Sequence, residues 1–148
     1  MTMKNVVIYT DGACSKNPGP GGWGGIVIYD DHRREVSGFE ENTTNNIMEL
    51  KAVIESLKVL KENCNVKLHT DSKYIVDSIT KWVHNWKING WRTAKKDPVK
   101  NKMLWEDILN LSDKHNIEWH WVKGHDGNQL NEECDQLAKH QIKIHAIN

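Results

Sequence analysis

The chain has 148 residues, of which 38% are hydrophobic, and its 20 basic and 20 acidic side chains give a formal net charge of +0. This size and composition predict one ordinary globular domain over residues 1–148, with a single core. The cysteines Cys14, Cys64 and Cys134 are far apart and form no CxxC pair. They argue against a disulfide framework or zinc knuckle and favour a reducing cytoplasm. No apolar run is long enough to span a membrane, and the N-terminus lacks the apolar segment of a signal peptide.

The first elements are predicted to be strands. A β-branched, apolar run at residues 6–9 predicts a central strand that is buried on both faces, and Asp11 follows it. Glycines and prolines at residues 17–22 predict a tight loop that returns the chain as a hairpin. Residues 24–29 and 35–39 predict two more strands, which complete an antiparallel meander. A carboxylate beside a buried strand needs hydrogen-bond donors or a cation. Asp11 therefore either caps the backbone amides of a turn or binds a cation.

The rest of the chain alternates helices with strands. Leucine, valine and isoleucine recur at helical spacing in residues 46–60, which predicts an amphipathic helix. The later elements are strands at residues 66–70 and 117–122 and helices at residues 71–79, 104–111 and 131–142. This order predicts an α/β protein with a mixed sheet, whose later strands run parallel to the first.

Four acids are predicted to converge on this scaffold. Asp11 and Asp71 each follow a threonine at the end of an apolar strand, and the carboxyl ends of parallel strands share one edge of a sheet. Glu49 and Asp135 lie on the edges of the helix faces that pack on the sheet. At an effective dielectric of about 20, each close pair costs on the order of 4 kcal/mol, which protonation or a divalent cation must relieve. Oxygen ligands without a cysteine or histidine cluster favour Mg²⁺ or Mn²⁺ over zinc.

A histidine follows the last predicted strand. His125 lies in a glycine-flanked loop, just before the helix that carries Asp135. Such a side chain is either a proton carrier near the metals, with a pKa close to neutrality, or an ordinary exposed loop histidine.

The segment 81–102 is strongly basic. It carries seven basic residues and one acid, so it has a charge of +6 and the remainder of the chain has −6. This asymmetry predicts a face that binds a polyanion. The segment interleaves the tryptophans Trp82, Trp86 and Trp91 with the cations Lys81, Lys87 and Arg92. Tryptophans at helical spacing more often pack in a core, which we expect for at least one of the three, whereas tryptophans among cations bind nucleic acids. Both interpretations can hold together.

The chain resembles bacterial type 1 ribonuclease H over essentially its whole length. The resemblance rests on seven blocks in the same order: TDGACSKNPGPGGWG, TTNNIMEL, TDSKY, KWVHNWKINGW, DPVKN, WVKGH and NEECDQLA. It implies a ribonuclease H-like α/β fold, a five-stranded mixed sheet of an antiparallel meander and parallel strands, flanked by helices. It also implies that Asp11, Glu49, Asp71 and Asp135 hold two Mg²⁺ ions, with Mn²⁺ as a substitute, and that His125 assists product release.

The same resemblance implies a set of substrate-binding residues. Cys14, Asn17, Asn45 and Asn46 match positions that contact the RNA strand, and Thr44 together with Asn17 matches a pocket for a DNA phosphate. The basic protrusion for the DNA strand matches residues 81–91. The candidates also include Ser72, Lys81, Trp82, Trp86, Lys87 and Trp91.

The predicted function is hydrolysis of the RNA strand of RNA/DNA hybrids. The resemblance implies an endonucleolytic, two-metal reaction that leaves 3′-hydroxyl and 5′-phosphate ends and is carried out by a monomer. Two alternatives stay open. A binding module without catalysis needs the basic segment but not the four acids, and a same-fold nuclease or strand-transfer enzyme needs the acids but not the RNA-reading asparagines.

Overall fold

The computed structural model describes residues 3–124 and 128–145. It contains the predicted five-stranded mixed sheet, in the order β3-β2-β1-β4-β5. The strands are β1 (Lys4–Cys14), β2 (Gly19–Tyr29), β3 (His32–Thr43), β4 (Cys64–Thr70) and β5 (Asn116–Trp121). The helices are α1 (Asn45–Lys58), α2 (Lys73–Asp77), α3 (Val83–Ile88), α4 (Lys102–Ser112) and α5 (Gln129–His145). Among the described residues, no helix combines the length and apolarity that crossing a bilayer requires.

The pairing of the strands fixes the edge at which the acids meet. β1, β2 and β3 form the antiparallel meander, and β4 and β5 run parallel to β1. The parallel ladder between β1 and β4 ends at the pair Thr10 and Thr70. Asp11 and Asp71 are the next residues, so the mixed topology brings these two acids to the same edge of the sheet.

The predicted boundary after the first strand is wrong in one respect. Asp11 does not end β1, because the strand continues to Cys14 and pairs antiparallel with β2, with Asp11 opposite Gly24. Gly19 also belongs to β2, so the loop comprises residues 15–18 and not the predicted residues 17–22. The hydrogen bonds between β1 and β2 pair the backbone N–H and C=O groups of these glycine-rich segments. This pairing between strands overrides the low strand propensity of glycine.

The second helical segment is longer than predicted. It extends from α2 through a π-helical turn at Ser78–Trp82 into α3, which ends at Ile88. A π-helical turn adds a residue and rotates the face of the helix that follows it. Val83 is consequently buried at 4% exposure, whereas Trp82 is 42% exposed.

Two helices cover opposite faces of the meander. A Cβ atom on Gly25 would meet the Ser56 hydroxyl of α1 at 2.0 Å, whereas one on Gly22 would meet the Ala138 carbonyl of α5 at 2.1 Å. Neighbouring strand residues point to opposite faces, so α1 and α5 sandwich β2 at close range. This close approach holds Asp135, which lies on α5, near the edge that carries Asp11.

The core lies between the sheet and the helices α1 and α4. Its fully buried members include Ile8, Leu50, Leu57, Leu68 and Trp105. Burial of such side chains contributes about 1.5 to 3 kcal/mol each relative to exposure. The helix that carries Glu49 is therefore fixed by its own apolar face.

Candidate active site

Three carboxylates form the centre of the candidate site. Asp11 on β1, Glu49 on α1 and Asp71 after β4 each offer an oxygen within 4.8 Å of the others. Asp11 is 4% exposed and Glu49 is 3% exposed. Oxygen donors this close together suit a hard divalent cation such as Mg²⁺, which relieves their repulsion. The donor set therefore fits the metal that the sequence predicts.

Gly12 positions two of these carboxylates and was not predicted as a site residue. Its backbone N–H donates to Asp11 Oδ1 at 2.9 Å and to Glu49 Oε1 at 2.8 Å. A Cβ atom at Gly12 would lie 2.4 Å from the backbone nitrogen of Glu49, so only glycine allows α1 to approach β1 this closely. The signal in the sequence is the glycine directly after Asp11, although its role depends on where α1 docks. Thr70 adds a longer contact, from its hydroxyl to Glu49 Oε2 at 3.5 Å.

Both buried carboxyls bind protons more tightly than exposed ones. Burial is the main cause that raises the pKa of Asp11 far above its usual value, and the charges of Glu49, Asp71 and Asp135 raise it further. Burial likewise raises the pKa of Glu49 to about 7, to which the charge of Asp71 contributes. Hydrogen bonds from Asp11, Gly12 and Thr70 act in the opposite direction on Glu49. A bound cation would replace these protons.

The metal-free protein is expected to lose stability as the pH rises from about 4 to about 7. A raised pKa in the folded state means that the folded protein keeps a proton which the unfolded chain releases near pH 4. The stabilisation is fully present below that pH and is lost as Glu49 ionises at about pH 7. Glu49→Gln removes this titration, so its stability relative to the wild type should increase by about 3 kcal/mol over that range.

Chemical denaturation in a chelator, at several pH values for both proteins, measures this difference. Millimolar Mg²⁺ at neutral pH should restore stability to the wild type, because a cation that binds only the folded state stabilises it. A stability difference that does not change with pH would contradict the prediction.

Asp135 lies in the same cleft but already has a partner. Its carboxylate forms an ion pair with Lys139 Nζ at 3.0 Å, one turn along α5. Its charge nevertheless contributes to the raised pKa of Asp11. The structure therefore brings all four predicted acids to one cleft, three of them within 4.8 Å and the fourth neutralised by a lysine. Lys139 was not predicted from the sequence.

The cleft around the acids has a volume of about 490 Å³. Several predicted substrate-binding residues line it: Cys14, Asn45, Asn46 and Ser72. Lys73, Tyr74 and Lys139 line it as well and were not predicted. Lys73 is held over the indole of Trp121, with Nζ 4.9 Å from the ring centroid, and the indole N–H donates to the Asp71 carbonyl oxygen at 3.1 Å.

The predicted substrate-binding residues around the cleft also organise its backbone. The Asn17 side-chain oxygen accepts from the Asn45 N–H at 3.1 Å. Thr44 caps α1 by accepting from the Ile47 N–H, and Ser72 caps α2 by accepting from the Ile75 N–H. The Cys14 thiol donates to the Lys16 carbonyl at 2.6 Å. His125 falls outside the described residues.

Some side chains of the basic segment pack against the core, and others are exposed to solvent. Trp86 and Trp91 are half-buried against the core, and the rings of Trp86 and Trp105 are 6.2 Å apart. The prediction that at least one of these tryptophans packs is therefore confirmed. Exposed members of the segment include Lys81, Trp82, Lys87, Arg92, Lys95 and Lys96. Lys81 also forms an ion pair with Asp77 at 3.4 Å.

The fold and this cleft define an α/β protein with a cluster of carboxylates at the carboxyl edge of its parallel strands. The model of the RNase H family matches residues 3–143, and the chain belongs to that family. It is 54% identical over 142 residues to Ribonuclease H of Wolbachia pipientis wMel, covering 96% of this chain and 98% of that protein. It is also 57% identical over 140 residues to Ribonuclease H of Ehrlichia canis (strain Jake), and this match covers 95% of this chain and 96% of that protein.

Solved structures show the same similarity. The crystal structure of LC9-RNase H1, a type 1 RNase H with the type 2 active-site motif, has a TM-score of 0.87 and 35% identity, and covers 97% of this chain and 74% of that one. The solution structure of the PFV RNase H domain has a TM-score of 0.79 and 28% identity, with 97% of each chain covered. These relatives indicate a hydrolytic nuclease that acts on RNA, as the sequence predicts.

Proposed function

We propose that this protein cleaves the RNA strand of RNA/DNA hybrids endonucleolytically, leaving 3′-hydroxyl and 5′-phosphate ends. The observation that carries the proposal is the close group of Asp11, Glu49 and Asp71, in a chain of the RNase H family. Two structural neighbours support the substrate, since LC11-RNase H1 and a foamy viral protease-reverse transcriptase have both been solved with an RNA/DNA hybrid. The proposal treats residues 1–148 as one catalytic domain that works as a cytoplasmic monomer. The free thiols of Cys14, Cys64 and Cys134 agree with a reducing compartment.

Asp11, Glu49, Asp71 and Asp135 would hold two Mg²⁺ ions, or Mn²⁺ in their place. When bound, such ions activate water for in-line attack on a phosphodiester and stabilise the departing oxygen. The buried position of Asp11 and Glu49 keeps bulk water away from two of these oxygens. Gly12 fixes their orientation through its shared N–H, and Lys139 holds the Asp135 carboxylate at the rim of the cleft.

The cleft offers groups that can distinguish RNA from DNA. Asn45, Asn46 and Cys14 line it beside the acids, and the Asn17 side chain secures the Asn45 backbone. Amide groups can both donate to and accept from a 2′-hydroxyl, which DNA lacks. We therefore assign the RNA strand to this side of the cleft and the DNA strand to the basic segment, with Thr44 and Asn17 at a DNA phosphate.

A substrate panel tests the proposal. Internally labelled hybrid, duplex DNA and duplex RNA are incubated with the enzyme and Mg²⁺, and the ends of the products are identified by mass spectrometry. We expect internal cuts in the RNA of the hybrid alone, with 3′-hydroxyl and 5′-phosphate ends. Equal cleavage of duplex DNA, or release of single nucleotides from the ends, would overturn it.

His125→Ala is expected to slow turnover by about tenfold to a hundredfold without abolishing it. In this proposal His125 moves protons or assists product release, and general acid–base groups contribute on the order of 10² to 10⁴ to a rate. Single-turnover and steady-state rates on the hybrid distinguish these roles, because a product-release defect appears only in the steady state. His140→Ala is a matched control, since His140 is exposed on α5. A loss as deep as that of an Asp71 variant would show that His125 takes a larger part in the reaction.

A further inference from the structure

The end of β5 lies beside Asp71. The parallel ladder between β4 and β5 ends at the pair Thr70 and Trp121, and the Val122 N–H then donates to the Thr70 carbonyl oxygen at 2.9 Å. Asp71 follows Thr70 directly and lies outside the ladder. The last residues of β5 and those that follow them are therefore the neighbours of Asp71 at the point where the chain leaves the sheet.

Trp121 has little part in the hydrophobic core. It lies on the same face of β5 as Trp119, because residues two apart on a strand share a face. Trp119 packs against the core, whereas Trp121 is 44% exposed and belongs to the last pair of the ladder, at the edge that carries the acids. An indole this exposed gains only part of the stabilisation that burial provides. Its contacts at the edge give it a different role.

Two contacts fix the indole of Trp121. Its N–H donates to the Asp71 carbonyl oxygen at 3.1 Å, and Lys73 Nζ lies 4.9 Å from the ring centroid. The hydrogen bond runs from β5 to the connection between β4 and α2, so it holds the peptide group of Asp71. Because the carboxylate leaves the backbone at the adjacent Cα atom, this bond also limits where the carboxylate oxygens can lie.

Gly124 lies against the carboxylate itself. A Cβ atom at this position would be 3.0 Å from Asp71 Oδ2 and 3.6 Å from Asp71 Cγ. Non-bonded heavy atoms are best separated by about 3.5 Å or more, so a larger residue would displace the carboxylate. The absence of a side chain at Gly124 leaves an Asp71 oxygen within 4.8 Å of oxygens of Asp11 and Glu49.

We propose that Trp121 and Gly124 are positioning residues of the metal site and act through Asp71. Trp121 holds the Asp71 backbone, and Gly124 leaves its carboxylate room beside the other acids. The inference rests on the proposed metal-dependent cleavage. Hydrogen-bonded partners of metal ligands orient those ligands, and their loss typically lowers metal affinity or activity by about 10- to 100-fold.

The hydrogen bond distinguishes this role from two others. An exposed indole beside a nuclease cleft can also stack on a base of the substrate, or serve only to hold Lys73. Both of these roles use the face of the ring, whereas the contact with Asp71 uses the indole N–H. Trp121→Phe keeps an aromatic face and removes the N–H, so it separates the positioning role from the other two.

Calorimetric titration of the substrate-free protein with Mn²⁺ tests the inference without any cleavage. We expect Trp121→Phe to weaken Mn²⁺ binding by about tenfold, and Gly124→Ala to weaken it by at least as much. In steady-state cleavage of the hybrid at a fixed, subsaturating Mg²⁺ concentration, kcat of Trp121→Phe should fall by about tenfold. The KM for the hybrid should change by less than about twofold, because the ring face is retained.

Two single variants serve as controls. Trp119→Phe makes the same change two residues earlier on the same face, at a side chain that packs against the core. It should lower stability and leave Mn²⁺ affinity unchanged. Lys73→Met removes the cation from the ring of Trp121. It should not weaken Mn²⁺ binding, because the loss of a positive charge from an acidic cleft favours a cation.

A double-mutant cycle tests whether Trp121 acts through Asp71. In the Asp71→Asn background the carboxylate that Trp121 positions is absent, so Trp121→Phe should lower Mn²⁺ affinity by less than about twofold. A tenfold loss in that background would show that Trp121 acts elsewhere and would overturn the inference.

Three further results would also overturn it. Trp121→Phe and Gly124→Ala could keep the Mn²⁺ affinity of the wild type, or Trp119→Phe could reproduce the loss, which would indicate a general effect of stability. A raised KM at unchanged Mn²⁺ affinity would identify Trp121 as a stacking surface for the substrate. Cleavage of the hybrid by the wild type tests the proposed function, whereas the ratio of Mn²⁺ affinities tests the positioning, so either can fail alone.

Discussion

Asp71→Asn is expected to reduce hybrid cleavage by on the order of a thousandfold or more while leaving hybrid binding intact. Asp71 supplies one of the three oxygens that lie within 4.8 Å of each other. The asparagine amide has the same size but no charge, so it is a poor ligand for a hard cation. Single-turnover rates in Mg²⁺ and the affinity for a hybrid in a chelator measure the two effects separately.

The same variant is expected to be more stable than the wild type when no metal is present. The charge of Asp71 raises the pKa of both Asp11 and Glu49, so its removal lets both carboxyls ionise at lower cost. We expect the free energy of unfolding at neutral pH to increase by about 1 to 2 kcal/mol, and Mg²⁺ to stabilise the variant less than the wild type.

Asp107→Asn is a matched control for both effects. Asp107 is an exposed carboxylate on α4, and it does not line the cleft. Its replacement changes the net charge by the same amount and should alter neither cleavage nor metal-free stability. If Asp71→Asn kept near wild-type turnover in Mg²⁺, the assignment of the site to these carboxylates would be wrong.

The position of the acids could be predicted because it follows from local patterns. In two apolar runs that pair in parallel, each Thr-Asp sequence places its aspartate beside the other once the threonines are aligned, and Thr10 does lie opposite Thr70. Glu49 followed from the helical period, since the apolar face of α1 sets which side chains reach the sheet. These features depend on side-chain periodicity, which the sequence records directly.

Other features depend on contacts between distant elements, and no local pattern records them. The extension of β1 to Cys14 requires its pairing with the glycines of β2. The shared hydrogen bond of Gly12 requires α1 to dock within contact of β1. The extra residue of the π-helical turn decides which tryptophan packs and which is exposed.

The assignment of the basic segment to the DNA strand remains a prediction, but its geometry is now defined. Two backbone hydrogen bonds brace the segment: the Thr93 N–H donates to the Asp97 carbonyl at 2.8 Å, and the Val99 N–H donates to the Trp91 carbonyl at 3.0 Å. Trp86 and Trp91 anchor it to the core. Cations on such a braced surface lose less conformational entropy on binding than cations on a loose loop.

Neutralising Lys87, Arg92, Lys95 and Lys96 together to glutamine is expected to weaken hybrid binding strongly. All four side chains are exposed on the +6 segment, and none lines the cleft that holds the acids. Each phosphate contact contributes roughly 0.7 to 0.9 to the slope of log K against log salt, so the loss of about three contacts should flatten the slope by two to three units. The matching kinetic result is a raised KM at nearly unchanged kcat, because the lost interactions are equal in ground and transition states.

A second quadruple variant separates the effect of the cations in the basic segment from the effect of the overall net charge. Lys58, Lys61, Lys67 and Lys114 are exposed lysines outside the basic segment, and their replacement by glutamine changes the net charge by the same amount. Long-range attraction depends on total charge and is screened over about 10 Å at 0.1 M salt, whereas phosphate contacts are local. We therefore expect this control to keep the salt slope and KM of the wild type. If both variants behaved alike, or if the first kept the parent's slope, the basic segment would not contact phosphates, and its tryptophans would serve packing alone.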